Sequence, residues 1–165
     1  MKAALLVIDL QKAFFLHSPE TAHSLNQAIV VTNAAIELFR QKNLPVICIQ
    51  HINPASGVTP DSEGFALPEH LNVQPEDLHI HKTYGNAFNK TTLLEELRRQ
   101  NIDTLILTGY CAEYCVLSTY RGALDLDLAP ILLRGAIASR APQNIPFVEN
   151  VNDIISLGAL KHLLR

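Results

Sequence analysis

Residues 104–115 read Thr104-Leu-Ile-Leu-Thr-Gly109-Tyr-Cys-Ala-Glu-Tyr-Cys115: an apolar run, a glycine, then a segment with helical character from Cys115 to about Asp125. The pattern predicts a buried strand, a tight turn and a helix. A second run of the same kind opens the chain, where Ala3 to Ile8 is continuously apolar and stops at Asp9. That is the pattern of a central parallel strand covered on both faces. In such sheets sites gather at the carboxyl ends of the strands, where strand order reverses, so Asp9 and the turn after Gly109 are the first positions to inspect.

Around these two strands the chain alternates. Leu25, Ala28, Ile29, Ala35, Ile36 and Phe39 recur at helical spacing between about Ser24 and Lys42, and Asn43 is a plausible stop. Pro45 introduces a strand over Val46 to Gln50. The stretch from 53 to 80 carries Pro54, Pro60, Pro68 and Pro75; it far exceeds the usual connection of about four to six residues and reads as a lid over a site. His79 to Lys82 suggests a short strand, and Thr92 with Glu95 offers a capping box for a helix through about Gln100. Pro130 to Leu133 suggests a fifth strand with its proline at the start, Asp153 to Ser156 a last one, and Leu157 to Leu164 a terminal helix. The expected fold is α/β: three layers around a doubly wound, mostly parallel sheet of about six strands in the order 3-2-1-4-5-6.

Composition narrows the function. A chain of 165 residues, 48% hydrophobic and 18% charged, suits one domain spanning 1–165. The net charge of −3 comes with no polybasic run, which argues against nucleic acid as a partner. No apolar stretch approaches the roughly 18 to 20 residues that span a bilayer. Lys2 precedes an apolar run, but Asp9 interrupts it and no cleavage site follows, so the expected location is the cytoplasm and no membrane partner is expected. Cys48, Cys111 and Cys115 are an odd set, pointing to reduced thiols rather than a disulfide framework. Neither a Walker loop nor a glycine-rich dinucleotide fingerprint follows the first strand.

Among the polar residues, Cys115 stands at the expected beginning of a helix, where unpaired N–H groups and the positive dipole end favour a thiolate. Its plain alternative is a small buried hydrophobe. Asp9 is a candidate proton shuttle or a turn aspartate, and Lys82 a cation for that pair or a solvated surface lysine. Cys111 with Cys115 also admits a metal or redox reading, although the spacing is not the usual two-residue gap. Cys48, inside an apolar strand, reads as structural. His51, His70, His79 and His81 have the chemistry to bind a metal, but isolated histidines usually do not.

Three segments together, Asp9-Leu-Gln11 with Phe14, Lys82 ahead of Ala87-Phe88, and Gly109-Tyr-Cys-Ala-Glu-Tyr-Cys115-Val116 extended by Thr119, Arg121 and Ala123, resemble the signature of the isochorismatase-like cysteine hydrolases. The resemblance runs through nearly the whole chain. It implies Asp9 as acid/base, Lys82 as orienting cation, Cys115 as nucleophile, and the backbone N–H groups of Cys111 and Cys115 as an oxyanion hole, with a cis peptide at Tyr110-Cys111. Phe14, His51, Tyr84, Tyr110 and Tyr114 are candidate pocket residues, with simple core packing as their alternative. Metal-dependent nicotinamidases of this family carry an aspartate and histidines after the second strand; here the stretch reads His51-Ile-Asn53-Pro54, so no metal and no cofactor is expected. Ala112 stands where the family commonly has threonine, and Gly135 near a frequent aspartate, which bears on substrate recognition. The implied activity is metal-independent hydrolysis of a small amide, ureido or related C–N bond through a thioester, by a homo-oligomer. The alternatives are vinyl-ether hydrolysis of isochorismate, which in the siderophore-type enzymes generally does not depend on this cysteine, and a non-catalytic binding or regulatory protein on the same fold.

Overall fold

The computed structural model describes residues 2–164, so the two end residues of the expected 1–165 domain, Met1 and Arg165, lie outside the described residues. Strands β1 (Ala3–Ile8), β2 (Val46–His51), β3 (Leu78–Lys82), β4 (Thr104–Tyr110), β5 (Ala129–Ala138) and β6 (Ile154–Ile155) form one sheet. Every pairing in it is parallel, and the order is β3-β2-β1-β4-β5-β6. Helices α1 (Pro19–Gln41), α2 (Leu93–Arg99), α3 (Leu117–Leu124), α4 (Ile145–Asn150) and α5 (Leu157–Leu163) cover its two faces.

The three layers follow from side-chain alternation along β1. Leu5 and Val7 join a core with Leu25, Ile29, Ile36 and Phe39 of α1 and Leu160 of α5. Leu6 and Ile8 face the other way, into a core with Leu97 of α2, Tyr120 of α3 and Val148 of α4. All six β1 residues are buried, and so are all seven of β4. Each fully buried Leu or Ile contributes about 1.5–3 kcal/mol, so a polar residue in either run would cost the sheet heavily.

The sheet order reverses between β1 and β4, whose ends are level: Ile8 is registered against Gly109. Gly109 has φ +117, and a Cβ there would stand 2.0 Å from the Ile8 carbonyl oxygen. Only glycine lets the two strand ends approach this closely.

Several boundaries differ from the sequence reading. Helix α1 begins five residues before Ser24, because Ser18 caps it through a 3.1 Å bond from the Thr21 amide and Pro19 occupies the first turn. The apolar spacing becomes visible only later. Thr92 does not form the capping box, since its backbone is not extended and its side chain makes no cap bond; Thr91 Oγ1 accepts from the Leu93 amide instead. Strand β5 runs on to Ala138 through a bulge: Leu107 pairs with Leu132 but Gly109 with Ile137. Gly135, at φ +80, lies in that irregular stretch. The short helix α4 had no sequence expectation. The 53–80 connection is tied down along much of its length, with Asn33 donating to the His70 carbonyl and Arg40 to the Asn72 carbonyl. It is a strap fastened to α1 rather than a free lid. Among the described residues no helix is long and apolar enough to cross a membrane.

Candidate active site

Asp9 leaves the end of β1 with φ 51, a left-handed conformation that aspartate tolerates better than most residues. Its amide donates to the Ile49 carbonyl, which turns the side chain inward at the centre of the sheet edge. Lys82 ends β3, two strands away, and its Nζ lies 2.8 Å from Asp9 Oδ2; both side chains are buried, at 0% and 1% exposure. The same ammonium contacts His51 Nδ1 at 3.0 Å. Asp9 Oδ1 is buried without a hydrogen-bond partner of standard geometry among the described residues.

Cys115 arrives from the other strand of the central pair. After β4 the Tyr110-Cys111 peptide is cis, and Ala112–Val116 form a π-helical turn leading into α3. The Cys111 carbonyl accepts from both the Tyr114 and Val116 amides, which fixes the backbone on either side of Cys115. Donor atoms of Asp9, His51 and Cys115 all fall within 4.8 Å of one another. The strand-turn-helix and the first strand therefore bring their polar ends together.

The electrostatics revise one expectation. Cys115 was expected to be a thiolate favoured by the helix start. Burial, reinforced by the nearby Asp9 carboxylate, instead pushes its thiol up to about 12, although Lys82 pulls the other way. The resting sulfur is protonated at neutral pH. Burial also raises Asp9, with Lys82 opposing it. His51 is lowered by burial and by Lys82, so it is neutral at neutral pH. Since an ammonium can only donate, its contact with Nδ1 makes that atom an acceptor and places the ring hydrogen on Nε2.

A cavity of about 300 Å³ opens onto this group. Of the sequence candidates, Asp9, Phe14, His51, Tyr110, Cys111, Tyr114 and Cys115 line it. Lys82 sits behind Asp9 and His51. Phe14 and Tyr110 stack with ring centroids 4.8 Å apart and make one wall. Tyr84 is not part of the cavity: its hydroxyl accepts from Lys90 and its ring lies under that ammonium, 5.1 Å away. The sequence reading missed His17, Asn53, Ser56 and Arg140, which also line the cavity. Asn53 and Ser56 belong to the start of the 53–80 strap, which the sequence reads as a lid over a site without marking individual residues. Arg140 follows the part of β5 hidden by the bulge, and it forms no ion pair among the described residues.

The remaining candidates separate. Cys48 is buried in β2, and burial raises its thiol well above the ordinary range. Cys111 Sγ faces Glu113 at 3.2 Å rather than sharing a cluster with Cys115. Glu113 also accepts from Ser139 Oγ and from Asn144 Nδ2, at 3.0 Å for the latter, tying the turn after β4 to the end of β5 and the start of α4. His70 bonds Asn26, His79 bonds the Gln74 carbonyl, and His81 packs edge-on against Phe65, so only His51 joins the central group. A cation bridging Asp9 and His51 would compete with Lys82, which already holds an atom of each.

The isochorismatase domain family model matches residues 3–147. The isochorismatase family protein YrdC of Bacillus subtilis is 34% identical over 142 residues, covering 84% of this chain and 74% of its own length. An isochorismatase-like hydrolase from Alkaliphilus metalliredigens superposes with a TM-score of 0.90 over 100% of both chains at 22% identity. N-carbamoylsarcosine amidase from Thermoplasma acidophilum superposes with a TM-score of 0.81 over 94% of this chain and 96% of its own, at 24% identity. At these identities the two structures speak for the fold.

Proposed function

The chain belongs to the isochorismatase family of hydrolases, and on that premise we propose that it is a metal-independent cysteine hydrolase that cleaves a small amide, ureido or related C–N bond. The observation that carries this reading is the buried Asp9–Lys82 pair at 2.8 Å with Cys115 beside it. With the thiol protonated, the group Asp9⁻, Lys82⁺, Cys115–SH has no net charge. Moving the thiol proton to Asp9 leaves Asp9–H, Lys82⁺ and a thiolate, again with no net charge. The transfer therefore avoids exposing an uncompensated charge in a buried site.

As Sγ attacks the substrate carbonyl carbon, the sulfur proton passes to Asp9 Oδ1, the buried oxygen with no other standard partner. The amide N–H groups of Cys111 and Cys115 are the proposed donors to the tetrahedral oxygen. Asp9 then returns the proton to the departing nitrogen, leaving a thioester. A water molecule, deprotonated by Asp9, attacks that thioester and releases the acid with regeneration of the thiol. Lys82 stays protonated throughout and balances whichever of Asp9 and Cys115 is negative.

Phe14 and Tyr110 favour a flat or apolar substituent, and Arg140 an acidic one. The fold neighbour named for N-carbamoylsarcosine adds ureido compounds to the candidates. The test is ammonia or amine release from a panel of carboxamides and N-carbamoyl acids, with trapping of an acyl-Cys115 by intact mass. Turnover abolished in Cys115→Ala, with an acyl adduct in wild type, is expected. Turnover that survives Cys115→Ala would overturn the mechanism.

A further inference from the structure

We propose that His51 is the positioning residue for Lys82: its Nδ1 anchors one ammonium hydrogen, so that the remaining two are held toward Asp9 and Cys115. This rests on the reading of Lys82 as the cation of the site but uses separate atoms. An ammonium has three donors in a tetrahedral arrangement on a freely rotating C–N bond. A contact to Asp9 Oδ2 at 2.8 Å fixes one donor, and a second at 3.0 Å to His51 Nδ1 stops the rotation. The Cys115 sulfur lies within 4.8 Å of ligand atoms of both Asp9 and His51, on the group that this ammonium holds, and Lys82 favours its thiolate.

The imidazole is itself held from the backbone. Gln11, fully buried, accepts from the His51 amide at 2.7 Å and donates to the His51 carbonyl at 3.0 Å. This side-chain amide continues the β1–β2 pairing past its last registered pair, Ile8 with Ile49. Gln11 thus sets where β2 ends, His51 sets where the ammonium points, and Lys82 sets the charge beside Asp9 and Cys115.

The anchor works only while Nδ1 is unprotonated. The charged and titratable groups facing the ring are Lys82 from β3, Asp9 from the end of β1 and Cys115 from the turn before α3. Burial and Lys82 disfavour the imidazolium more than Asp9 favours it. The anchor is intact at neutral pH and is released only on acidification below the ordinary histidine range, when two cations would face each other.

The experiment follows side-chain NMR in protein labelled with ¹⁵N at histidine and lysine, without substrate. In Lys82→Met the His51 titration midpoint is expected to rise by about one pH unit or more, because the opposing cation is gone. The Lys82 Nζ–H correlation is expected to be sharp in wild type, lost in His51→Leu, and restored in His51→Asn, whose Oδ1 replaces Nδ1 as acceptor. An unchanged His51 midpoint in Lys82→Met, or a Lys82 signal indifferent to His51→Leu, would overturn the proposal. If Lys82→Met does not fold, the two His51 variants decide the question alone. Neither readout needs turnover, so a protein that passes both yet releases no amine would remove the hydrolase reading while keeping the anchor.

Discussion

Asp9→Asn should make Cys115 more reactive toward an alkylating agent while abolishing hydrolysis. Asparagine keeps the side-chain shape and, like aspartate, accepts the left-handed backbone of position 9, so the change removes charge and basicity with little else. The thiol is pushed up to about 12 by burial first and by Asp9 second. Donor atoms of the two residues lie within 4.8 Å. Two unit charges at that separation interact by about 3.5 kcal/mol at an effective dielectric of about 20, equivalent to about 2.5 pH units. Loss of the carboxylate should therefore raise the thiolate population at pH 8 by about 300-fold, and Lys82, deprived of its partner, adds to the effect. The assay is iodoacetamide labelling at pH 8 followed by intact mass, with Cys115→Ala identifying the labelled site. Slow wild-type labelling and fast Asp9→Asn labelling are expected, with amine release lost. Labelling slower in Asp9→Asn than in wild type would refute the reasoning, because Asp9 would then be generating the resting thiolate rather than opposing it.

Other outcomes follow from the same geometry. Lys82→Met strands a buried carboxylate and should cost about 3–5 kcal/mol at pH 7 in urea unfolding; a loss under about 1 kcal/mol would mean the pair is solvated. Because the folded-state pKa of Asp9 is raised, its favourable contribution is complete below the ordinary carboxylate value of 3.8 and fades as pH rises through the folded value. Asp9→Asn should accordingly flatten the stability profile above pH 3.8, and an unchanged profile would count against a raised Asp9. Gly109→Ala sets a Cβ 2.0 Å from the Ile8 carbonyl oxygen and should destabilise by about 4 kcal/mol or more, measured by thermal unfolding or loss of soluble protein. Burial opposes ionisation of Glu113, but hydrogen bonds from Ser139, Asn144 and Cys111 outweigh it and hold the carboxyl below its usual range. That contribution is present above about pH 4.5 and lost as pH falls through the folded value; for a partly exposed carboxylate, screened by solvent, Glu113→Ala should cost about 1 kcal/mol at pH 7 and less in acid.

The apolar runs of Ala3–Ile8 and Thr104–Gly109, the alternation of strands with helices and the three polar positions Asp9, Lys82 and Cys115 were legible in the sequence. They are local: a fully buried parallel strand has to be apolar along its whole length, and a carboxylate or cysteine just beyond it stands out. The bulge in β5 was not legible, because its length depends on how β4 ends beside it, and so Arg140 was missed. The role of Thr91 in place of Thr92 was hidden for a similar reason, since a cap depends on backbone angles that neighbouring packing sets. The protonation state of the Cys115 thiol was decided by the tertiary structure alone. From sequence, a helix start argues for a thiolate; in the fold, burial and the Asp9 carboxylate act on the same sulfur and outweigh it. The bond between Lys82 and His51 likewise exists only because adjacent parallel strands end level, with His51 registered against Lys82. Sequence fixes which groups stand at the strand ends, whereas their distances and dielectric surroundings, which set protonation, come from the packing of segments far apart in the chain.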